Sequence, residues 1–226
     1  MKVILQGYKG KTGSVIYNLL KEKKVEVIPI DIDNNIFNYL NEENIDAVID
    51  FSSLSGVKNA LDFAIRKKVN LIIGTTSLEE IDFDFYHEQA LKLNIGIVVL
   101  ENYLSSFISI SKFLSSLDND FKDIVIEETH HESKKDSPSG TAKMIRKCFN
   151  KQKKIPILSN RVKIYTYEHI IRLANDYEEI TLVHRCLDKK GYAQGVYNLL
   201  MNINEYIGVI RDVKEMKKWM LKYLKN

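Results

Sequence analysis

Short apolar runs alternate with longer amphipathic stretches through the first hundred residues of the chain. The apolar runs are continuous, as in strands of a parallel sheet that are buried on both faces. The stretches between them repeat apolar residues at helical spacing. The predicted strands cover 2–6, 25–30, 46–51, 70–73 and 95–100, and the predicted helices cover 13–23, 56–68 and 82–93. This alternation predicts an α/β domain, a parallel sheet with helices on both faces.

Strands dominate after residue 102, and several of them alternate polar with apolar residues. A helix is predicted at 105–117, followed by strands at 123–129, 161–167, 169–174 and 178–186. Such alternation is typical of a mostly antiparallel sheet with one buried face, which predicts an α+β substrate domain. A helical pattern from Val196 and a last helix from Val213 return to the first domain. The expected domains are therefore 1–102 with 194–226, and 103–193.

A glycine-rich turn separates the first predicted strand from the first helix. Strand, glycine turn, helix and second strand in this order are typical of a Rossmann-type dinucleotide-binding domain. Gly7 permits a tight turn, Gly10 lets the backbone approach a pyrophosphate, and Gly13 lets the helix pack closely on the strand. A plain tight turn is the alternative. The residues assigned to the nucleotide are Gly7, Lys9, Gly10, Lys11, Thr12 and Gly13.

Asp31 follows the second predicted strand and bears on the choice of cofactor. A carboxylate at this position can bond both ribose hydroxyls of NAD and would repel the 2′-phosphate of NADP. Lys9 and Lys11 have the opposite effect, because an ammonium group can pair with that phosphate. NADH is therefore the favoured cofactor, with NADPH as the alternative. A solvated turn after the strand would also explain Asp31.

Hydroxyl side chains follow the third and fourth predicted strands, in the segments D-F-S-S and G-T-T. The carboxyl ends of parallel strands form the edge where ligands bind in an open α/β sheet. Simple helix capping by Ser and Thr is the alternative. The residues assigned to the nicotinamide end of the cofactor are Phe51, Ser52, Ser53, Gly74, Thr75 and Thr76.

The segment from 126 to 142 combines several chemically useful groups. A predicted strand leads to His130 and His131, then to Lys134, and a Ser-Pro-Ser-Gly turn precedes the start of a helix. Ser139 can cap that helix, and the unpaired N–H groups of a helix start bind anions. A solvated basic loop is the alternative. It does not explain why a helix start follows the lysines at once.

Composition and charge exclude several classes of protein. The net charge is +3 and the charged residues are interspersed, so no nucleic-acid partner is indicated. No apolar run approaches the roughly 18 residues that span a membrane, and no signal-peptide pattern is present. Cys148 and Cys186 are far apart and lack metal-ligand spacing, so no metal is expected. These features predict a cytoplasmic location.

The sequence H-H-x-x-K-x-D-x-P-S-G-T-A, from His130 to Ala142, resembles the signature of the dihydrodipicolinate reductase family. The resemblance implies NAD(P)H-dependent reduction of 4-hydroxy-tetrahydrodipicolinate, a cyclic dicarboxylate, to tetrahydrodipicolinate in lysine (diaminopimelate) biosynthesis. It also implies a homotetramer whose substrate domains pack together. His130 would be the general acid, and Lys134 would assist. The implied substrate ligands are His131, Ser139, Gly140 and Thr141, and Asn102 is added to the implied cofactor ligands.

Some family positions differ in this chain. The N-F-S-x-G segment of the family is replaced by residues 102–106, and its R-x-G-G segment is reduced to Arg161-Val162-Lys163. Two other functions therefore stay open. One is another NAD-dependent dehydrogenase of amino or imino acids, and the other is an inactive nucleotide-sensing homologue.

Overall fold

The computed structural model describes residues 1–150, 154–163, 167–212 and 215–216. The chain forms two compact units. Unit 1 comprises Met1–Leu104 with Lys189–Asn226, and unit 2 comprises Ser105–Asp188. The predicted strand residues 164–166 and most of the helix predicted from Val213 lie outside the described residues.

The elements follow one another in the order that the chain gives them. The strands are β1 Lys2–Gln6, β2 Glu26–Ile30, β3 Ala47–Asp50, β4 Asn70–Ile73, β5 Gly96–Val99, β6 Asp123–His131, β7 Ile157–Val162, β8 Tyr167–Ala174, β9 Glu179–Arg185 and β10 Gly208–Ile210. The helices are α1 Gly13–Glu22, α2 Leu54–Lys67, α3 Phe83–Leu93, α4 Ser105–Ser116, α5 Gly140–Lys147 and α6 Lys190–Leu200. Short 3-10 turns cover Ile36–Tyr39 and Ile203–Glu205.

Unit 1 is built on a six-stranded parallel sheet in the order β10-β5-β4-β3-β1-β2. All of its strand pairs are parallel. β3 and β4 are buried along their whole length, which explains their continuous apolar sequences. Side chains of this sheet, including Val48 and Leu71, share a core with Val57 and Leu61 of α2. The predicted parallel sheet is confirmed.

The end of unit 1 differs from the prediction. The helix predicted from Val196 begins at Lys190 and packs against α1, so residues 189–193 belong to unit 1. The chain then adds β10 to the sheet beside β5, a strand that the hydrophobic pattern did not reveal. The N–H of Val209 donates to His87 Nδ1 at 3.0 Å and so ties β10 to α3.

Unit 2 contains a four-stranded sheet in the order β7-β6-β8-β9. β6 pairs with β8 and β8 with β9 in antiparallel register, whereas β7 is parallel to β6. One face buries Ile124, Ile126, Ile171 and Leu173. The predicted mostly antiparallel sheet is confirmed, but the strand expected at 161–167 lies at Ile157–Val162.

β6 is longer than predicted and includes both histidines. Ladder pairing continues to its end, because His130 lies opposite Arg161 of β7 and Tyr167 of β8. Consecutive residues of a strand point to opposite faces of the sheet. The burial of β6 alternates accordingly, and this alternation sets the positions of the charged side chains in unit 2.

Candidate active site

The glycine turn in unit 1 is fixed by close backbone contacts. Gly7 has a φ of +81°, and its N–H donates to Ile30 O at 2.8 Å. A Cβ on Gly7 would lie 2.3 Å from Phe51 O, and one on Gly13 would lie 2.0 Å from Gly7 O. Neither position accepts a side chain without movement of the backbone. Gly10 is also tight, since a Cβ there would lie 3.2 Å from Gly7 O.

Asp31 lies beside this turn at the end of β2. Its Oδ2 accepts from the N–H of Lys9 at 3.0 Å, and its Oδ1 accepts from the N–H of Ile32 at 2.8 Å. The Lys9 ammonium lies 3.5 Å from Asp33 Oδ2, and both side chains are exposed. Gly7, Gly10 and Asp31 line one cavity of about 360 Å³. A glycine turn and an acid in one cavity fit the ribose and pyrophosphate of a dinucleotide.

A second cavity of about 620 Å³ also lies in unit 1, against the carboxyl ends of β3 and β4. The Phe51 ring borders it and closes on Gly74, where a Cβ would lie 2.1 Å from Phe51 Cε1. Its lining includes most of the residues predicted to contact the cofactor. They are Gly10, Lys11, Thr12, Phe51, Ser52, Ser53, Gly74, Thr75 and Thr76.

Asp50 holds the two hydroxyl-bearing segments of this cavity together. Its buried carboxylate accepts from Ser52 Oγ at 2.6 Å and from Thr75 Oγ1 at 2.6 Å. The N–H of Ser52 donates to Thr75 Oγ1 at 2.9 Å. Burial raises the pKa of Asp50, although these hydrogen bonds oppose the rise. Ser52 and Thr75 are thus engaged within the protein, and Asp50 was not among the predicted residues.

Two predicted cofactor ligands have structural roles of their own. Ser53 Oγ accepts from the N–H of Gly56 at 3.3 Å and caps α2, as the capping alternative anticipates. Asn102 is buried, and its Oδ1 accepts from the N–H of Leu104 at 2.9 Å.

Unit 2 contains a buried charged cluster around Glu128. Its carboxylate is fully buried and accepts from the N–H of Ser139, which lies 3.1 Å from both oxygens. Arg161 Nη2 donates to Oε1 at 3.1 Å. His130 Nε2 lies 3.3 Å from Oε2, and His169 Nε2 lies 3.8 Å from the same oxygen. The Glu128 carboxylate therefore joins β6, β7, β8 and the start of α5.

The members of the cluster differ in the direction of their pKa shifts and in their charge near neutral pH. Burial alone would raise the pKa of Glu128, but hydrogen bonds from His130 and Ser139 bring that pKa well below its ordinary value. Burial, helped by the charge of His130, lowers the pKa of His169 to about 3. Burial also lowers the pKa of His184 on β9. Near neutral pH the cluster therefore holds an ionised carboxylate and a neutral His169.

The lowered pKa of His169 predicts a pH dependence of stability. As the pH falls from 6.5 toward about 3, the unfolded chain binds a proton that the folded chain does not, so the free energy of unfolding falls. The expected slope is up to about 1.4 kcal/mol per pH unit. Urea denaturation between about pH 7 and about pH 5 measures it, above the range where the Glu128 carboxylate protonates. The His169→Gln variant should show a shallower slope, and an unchanged slope would contradict the assignment.

His131 and Lys134 bind partners other than Glu128. His131 is half-buried on the other face of β6, and its Nδ1 accepts from the N–H of Ser133 at 3.2 Å. The Lys134 ammonium donates to both carboxylate oxygens of Asp136, at 2.7 and 2.9 Å. Burial alone would raise the pKa of Asp136, but the Lys134 hydrogen bond and charge lower it. The two histidines predicted to act together thus point to opposite faces of the strand.

The helix start forms as predicted. Ser139 Oγ accepts from the N–H of Ala142 at 3.1 Å and caps α5, and the same oxygen lies 3.3 Å from His169 Nε2. Ser139 is 2% exposed, so its N–H and hydroxyl serve the protein interior. Gly140 is half-buried and Thr141 is buried, in the first turn of the helix where N–H groups point outward along the axis.

The ligand-type atoms of Glu128, His130 and His169 lie within 4.8 Å of one another, a spacing that a metal ion could bridge. Arg161 and the Ser139 N–H already bind the same carboxylate. A second cation beside the guanidinium would be repelled, which disfavours metal binding by this cluster. Sequence spacing did not reveal it, because its members meet only across strands.

Two sequence profiles of one family match the chain. "Dihydrodipicolinate reductase, N-terminus" matches residues 26–103, and "Dihydrodipicolinate reductase, C-terminus" matches residues 102–217. Among curated proteins, the 4-hydroxy-tetrahydrodipicolinate reductase of Thermosipho africanus (strain TCF52B) is 30% identical over 86% of this chain and 88% of its own length. The enzyme of the same name from Rickettsia rickettsii (strain Sheila Smith) is 27% identical over 96% and 99%.

Solved structures share the fold. A dipicolinate-bound dihydrodipicolinate reductase from Paenisporosarcina sp. TG-14 superposes with a TM-score of 0.79 at 19% identity, covering 96% of this chain and 99% of that one. An aspartate dehydrogenase from Thermotoga maritima gives a TM-score of 0.58 at 15% identity, covering 89% and 96%. In the part of the chain that the structure describes, no helix has the length and apolar character needed to cross a membrane.

Proposed function

We propose that this chain, which belongs to the dihydrodipicolinate reductase family, reduces 4-hydroxy-tetrahydrodipicolinate to tetrahydrodipicolinate in lysine (diaminopimelate) biosynthesis. The chain is an oxidoreductase that uses a nicotinamide cofactor. The observation that carries the proposal is the segment from His130 to Thr141, where an imidazole, an ammonium group and a helix start follow one another. Over the whole reaction the ring gains a hydride and a proton and loses water.

Each functional residue of this segment has a separate role in the reduction of the cyclic dicarboxylate. The reduced nicotinamide, when bound, supplies the hydride, whose electron pair leaves the conjugated ring in need of a proton. His130 donates that proton as general acid, a contribution typically worth about 10²–10⁴-fold. Gly140 and Thr141 at the start of α5 bind one carboxylate through N–H groups. Lys134 adds a positive charge. The substrate competes with Asp136 for that charge and for the N–H of Gly140, since both now bind the Asp136 carboxylate.

A coupled assay tests the proposed function. Aspartate semialdehyde, pyruvate and the preceding synthase generate the substrate, and the absorbance of NADH or NADPH is followed after this protein is added. Oxidation that requires the synthase and both of its substrates is the expected result. Failure to oxidise either cofactor, in a protein that binds NADH, would favour the nucleotide-sensing alternative.

The coupled assay, paired with a test of NAD⁺ reduction by amino acids, separates the reductase from a related dehydrogenase. The aspartate dehydrogenase of T. maritima shares the fold with this chain, and a Rossmann-type domain alone suits many dehydrogenases. A dehydrogenase of amino acids would reduce NAD⁺ with an amino acid and would leave the cyclic imine unchanged. The reductase should reduce the cyclic imine with NADH or NADPH and should not reduce NAD⁺ with an amino acid.

We propose NADH as the favoured cofactor, with NADPH also accepted. Asp31 supports this preference, because its carboxylate lies in the same cavity as Gly7 and Gly10. The Lys9 ammonium lies near the Asp33 carboxylate, so it is less available to pair with a 2′-phosphate.

The Asp31→Asn variant should lose much of the preference for NADH. The ratio of kcat/KM with NADH to that with NADPH is expected to fall roughly tenfold, because ribose hydrogen bonds to a charged group are lost and repulsion of the phosphate is relieved. The exposed Asp84 on α3 provides a control of equal charge change, Asp84→Asn. A ratio that stays at the wild-type value in Asp31→Asn would contradict the role of this carboxylate.

We further propose a cytoplasmic homotetramer in which the outward faces of the unit 2 sheets pack together. Leu158 on β7 and Val183 on β9 are 51% and 48% exposed, and Ile170 lies between their strands in the same row. Light scattering should give four times the 26.2 kDa of one chain. Val183→Glu is expected to lower that mass, whereas Leu91→Glu on α3 should not. A wild-type monomer would contradict the proposal.

A further inference from the structure

We propose that Glu128 is a positioning residue that fixes the orientation and tautomer of His130 and ties it to the start of α5. The inference rests on the proposed function for its catalytic meaning. Glu128 itself was not among the residues expected from the motif, although it lies two positions before His130 on the same face of β6.

Groups from three separate elements converge on the carboxylate. The N–H of Ser139 at the cap of α5 lies 3.1 Å from both oxygens, and Arg161 of β7 donates to Oε1 at 3.1 Å. His130 Nε2 lies 3.3 Å from Oε2. Because Glu128 is fully buried and bound by these groups, its carboxylate has little freedom to rotate.

The position of the carboxylate decides which nitrogen of His130 carries hydrogen. An ionised carboxylate only accepts hydrogen bonds, so Nε2 must be the protonated nitrogen that faces it. Neither ring nitrogen meets the geometry of a hydrogen bond among the residues that the structure describes, and Nε2 is the one that lies 3.3 Å from the carboxylate. The proton that the general acid donates therefore leaves from Nδ1. After transfer, Glu128 retains the neutral tautomer with hydrogen on Nε2.

The other groups around His130 agree with this arrangement. His169 and Tyr167 of β8 pack their rings against His130, with centroids 5.1 and 5.7 Å away. His169 is neutral near neutral pH, and the more distant His184 packs against His169 rather than His130. Lys134 and Arg161 are the nearby cations, and Asp136 and Glu128 pair with them. Among the residues that the structure describes, Glu128 is thus the carboxylate that contacts the His130 imidazole.

One carboxylate therefore sets two features of the site together. It orients the imidazole of the general acid, and it holds the N-cap of the helix whose first turn binds the substrate carboxylate. A merely structural role would require only the contacts with Arg161 and Ser139. In that case the tautomer of His130 would not depend on Glu128.

The Glu128→Gln variant separates the two roles. The amide oxygen must face Arg161, which donates to one carboxylate oxygen only, since an NH₂ group there would be repelled. The N–H of Ser139 lies equally close to both positions. The amide NH₂ is then left facing His130, which must turn an unprotonated Nε2 toward it. The variant is therefore expected to reverse the tautomer of His130. Glu127→Gln is the matched control, because Glu127 is the preceding residue of β6, points to the other face and pairs with Arg172.

Nitrogen-15 NMR of the histidine rings gives the deciding readout, with the signals of His130 assigned by their loss in His130→Gln. Wild type and Glu127→Gln should show hydrogen on Nε2 of His130, and Glu128→Gln should show it on Nδ1. In the coupled assay, kcat of Glu128→Gln should fall at least about tenfold while KM stays within about threefold. Retention of hydrogen on Nε2 in Glu128→Gln, or a kcat within about twofold of wild type, would overturn the proposal.

The wild-type spectrum keeps the proposal testable if Glu128→Gln does not fold. A wild-type His130 with hydrogen on Nδ1 alone would overturn it without any variant. The NMR result also needs no activity. If wild type fails to oxidise either cofactor, the proposed function fails, and the tautomer still decides whether Glu128 positions His130.

Discussion

The His130→Gln variant should lower kcat by about 10²–10⁴-fold while KM changes little, because it removes the group that donates a proton and leaves the carboxylate-binding groups in place. His131→Gln is the informative partner. His131 is adjacent in sequence but points to the other face of β6, and its proposed role is to bind a carboxylate. The His131→Gln variant should therefore raise KM more than it lowers kcat. Both effects are measured in the coupled assay under saturating cofactor.

The opposite pattern of effects on kcat would assign the general-acid role to His131. His130 is only 3% exposed and lies on the buried face of β6, whereas His131 is half-buried on the other face. If His131→Gln abolishes turnover and His130→Gln retains it, the half-buried histidine is the acid. His130 would then belong only to the buried network around Glu128.

Replacement of Gly13 by Ala is expected to weaken NADH binding by roughly 10- to 100-fold. A Cβ at this position would lie 2.0 Å from Gly7 O, and the obstacle is backbone that cannot rotate away. The turn must therefore move, and with it the N–H groups that approach the pyrophosphate. Fluorescence titration with NADH measures the loss, after circular dichroism has confirmed that the variant is folded.

Gly191→Ala provides the control for Gly13→Ala. Gly191 also lies in the first turn of a helix in unit 1, but a Cβ there meets only Leu104 Cδ2, at 2.6 Å. The end of a flexible side chain can move aside, so NADH affinity should be retained. A folded Gly13→Ala protein that binds NADH as tightly as this control would show that the cofactor does not depend on the turn.

The core of the fold could be predicted because buried strands leave a strong signal. β1, β3 and β4 are apolar along nearly their whole length, since helices cover both faces of the parallel sheet. β10 has only three residues, too few for a periodic signal. β7 alternates half-buried and exposed residues at the edge of its sheet, so its position depended on pairing with β6 rather than on hydrophobicity.

The start of α6 was missed for a different reason. Gly191 and Gly195 suggest a break in the helical pattern, and glycine is unfavourable in a helix interior. In the structure, a Cβ on Gly195 would lie 1.7 Å from Tyr103 O. The glycine is needed because the helix lies directly on the backbone of Tyr103, a contact between residues that are distant in sequence.

The candidate site was predicted as far as it is contiguous. The segment from His130 to Thr141 carries its chemistry in consecutive residues, and the predicted cap at Ser139 is confirmed. The partners of His130 come from elsewhere. His169 lies on β8 opposite Glu128, and Arg161 lies on β7, so these contacts depend on strand register. No spacing within one sequence fixes the register between strands this far apart.

A crystal structure with dipicolinate and oxidised cofactor would test the central claim most directly. One carboxylate of dipicolinate should accept from the N–H groups of Gly140 and Thr141, and the Lys134 ammonium, which now binds both oxygens of Asp136, should bind the ligand. Dipicolinate bound away from the start of α5, with Lys134 still paired to Asp136 alone, would contradict the account.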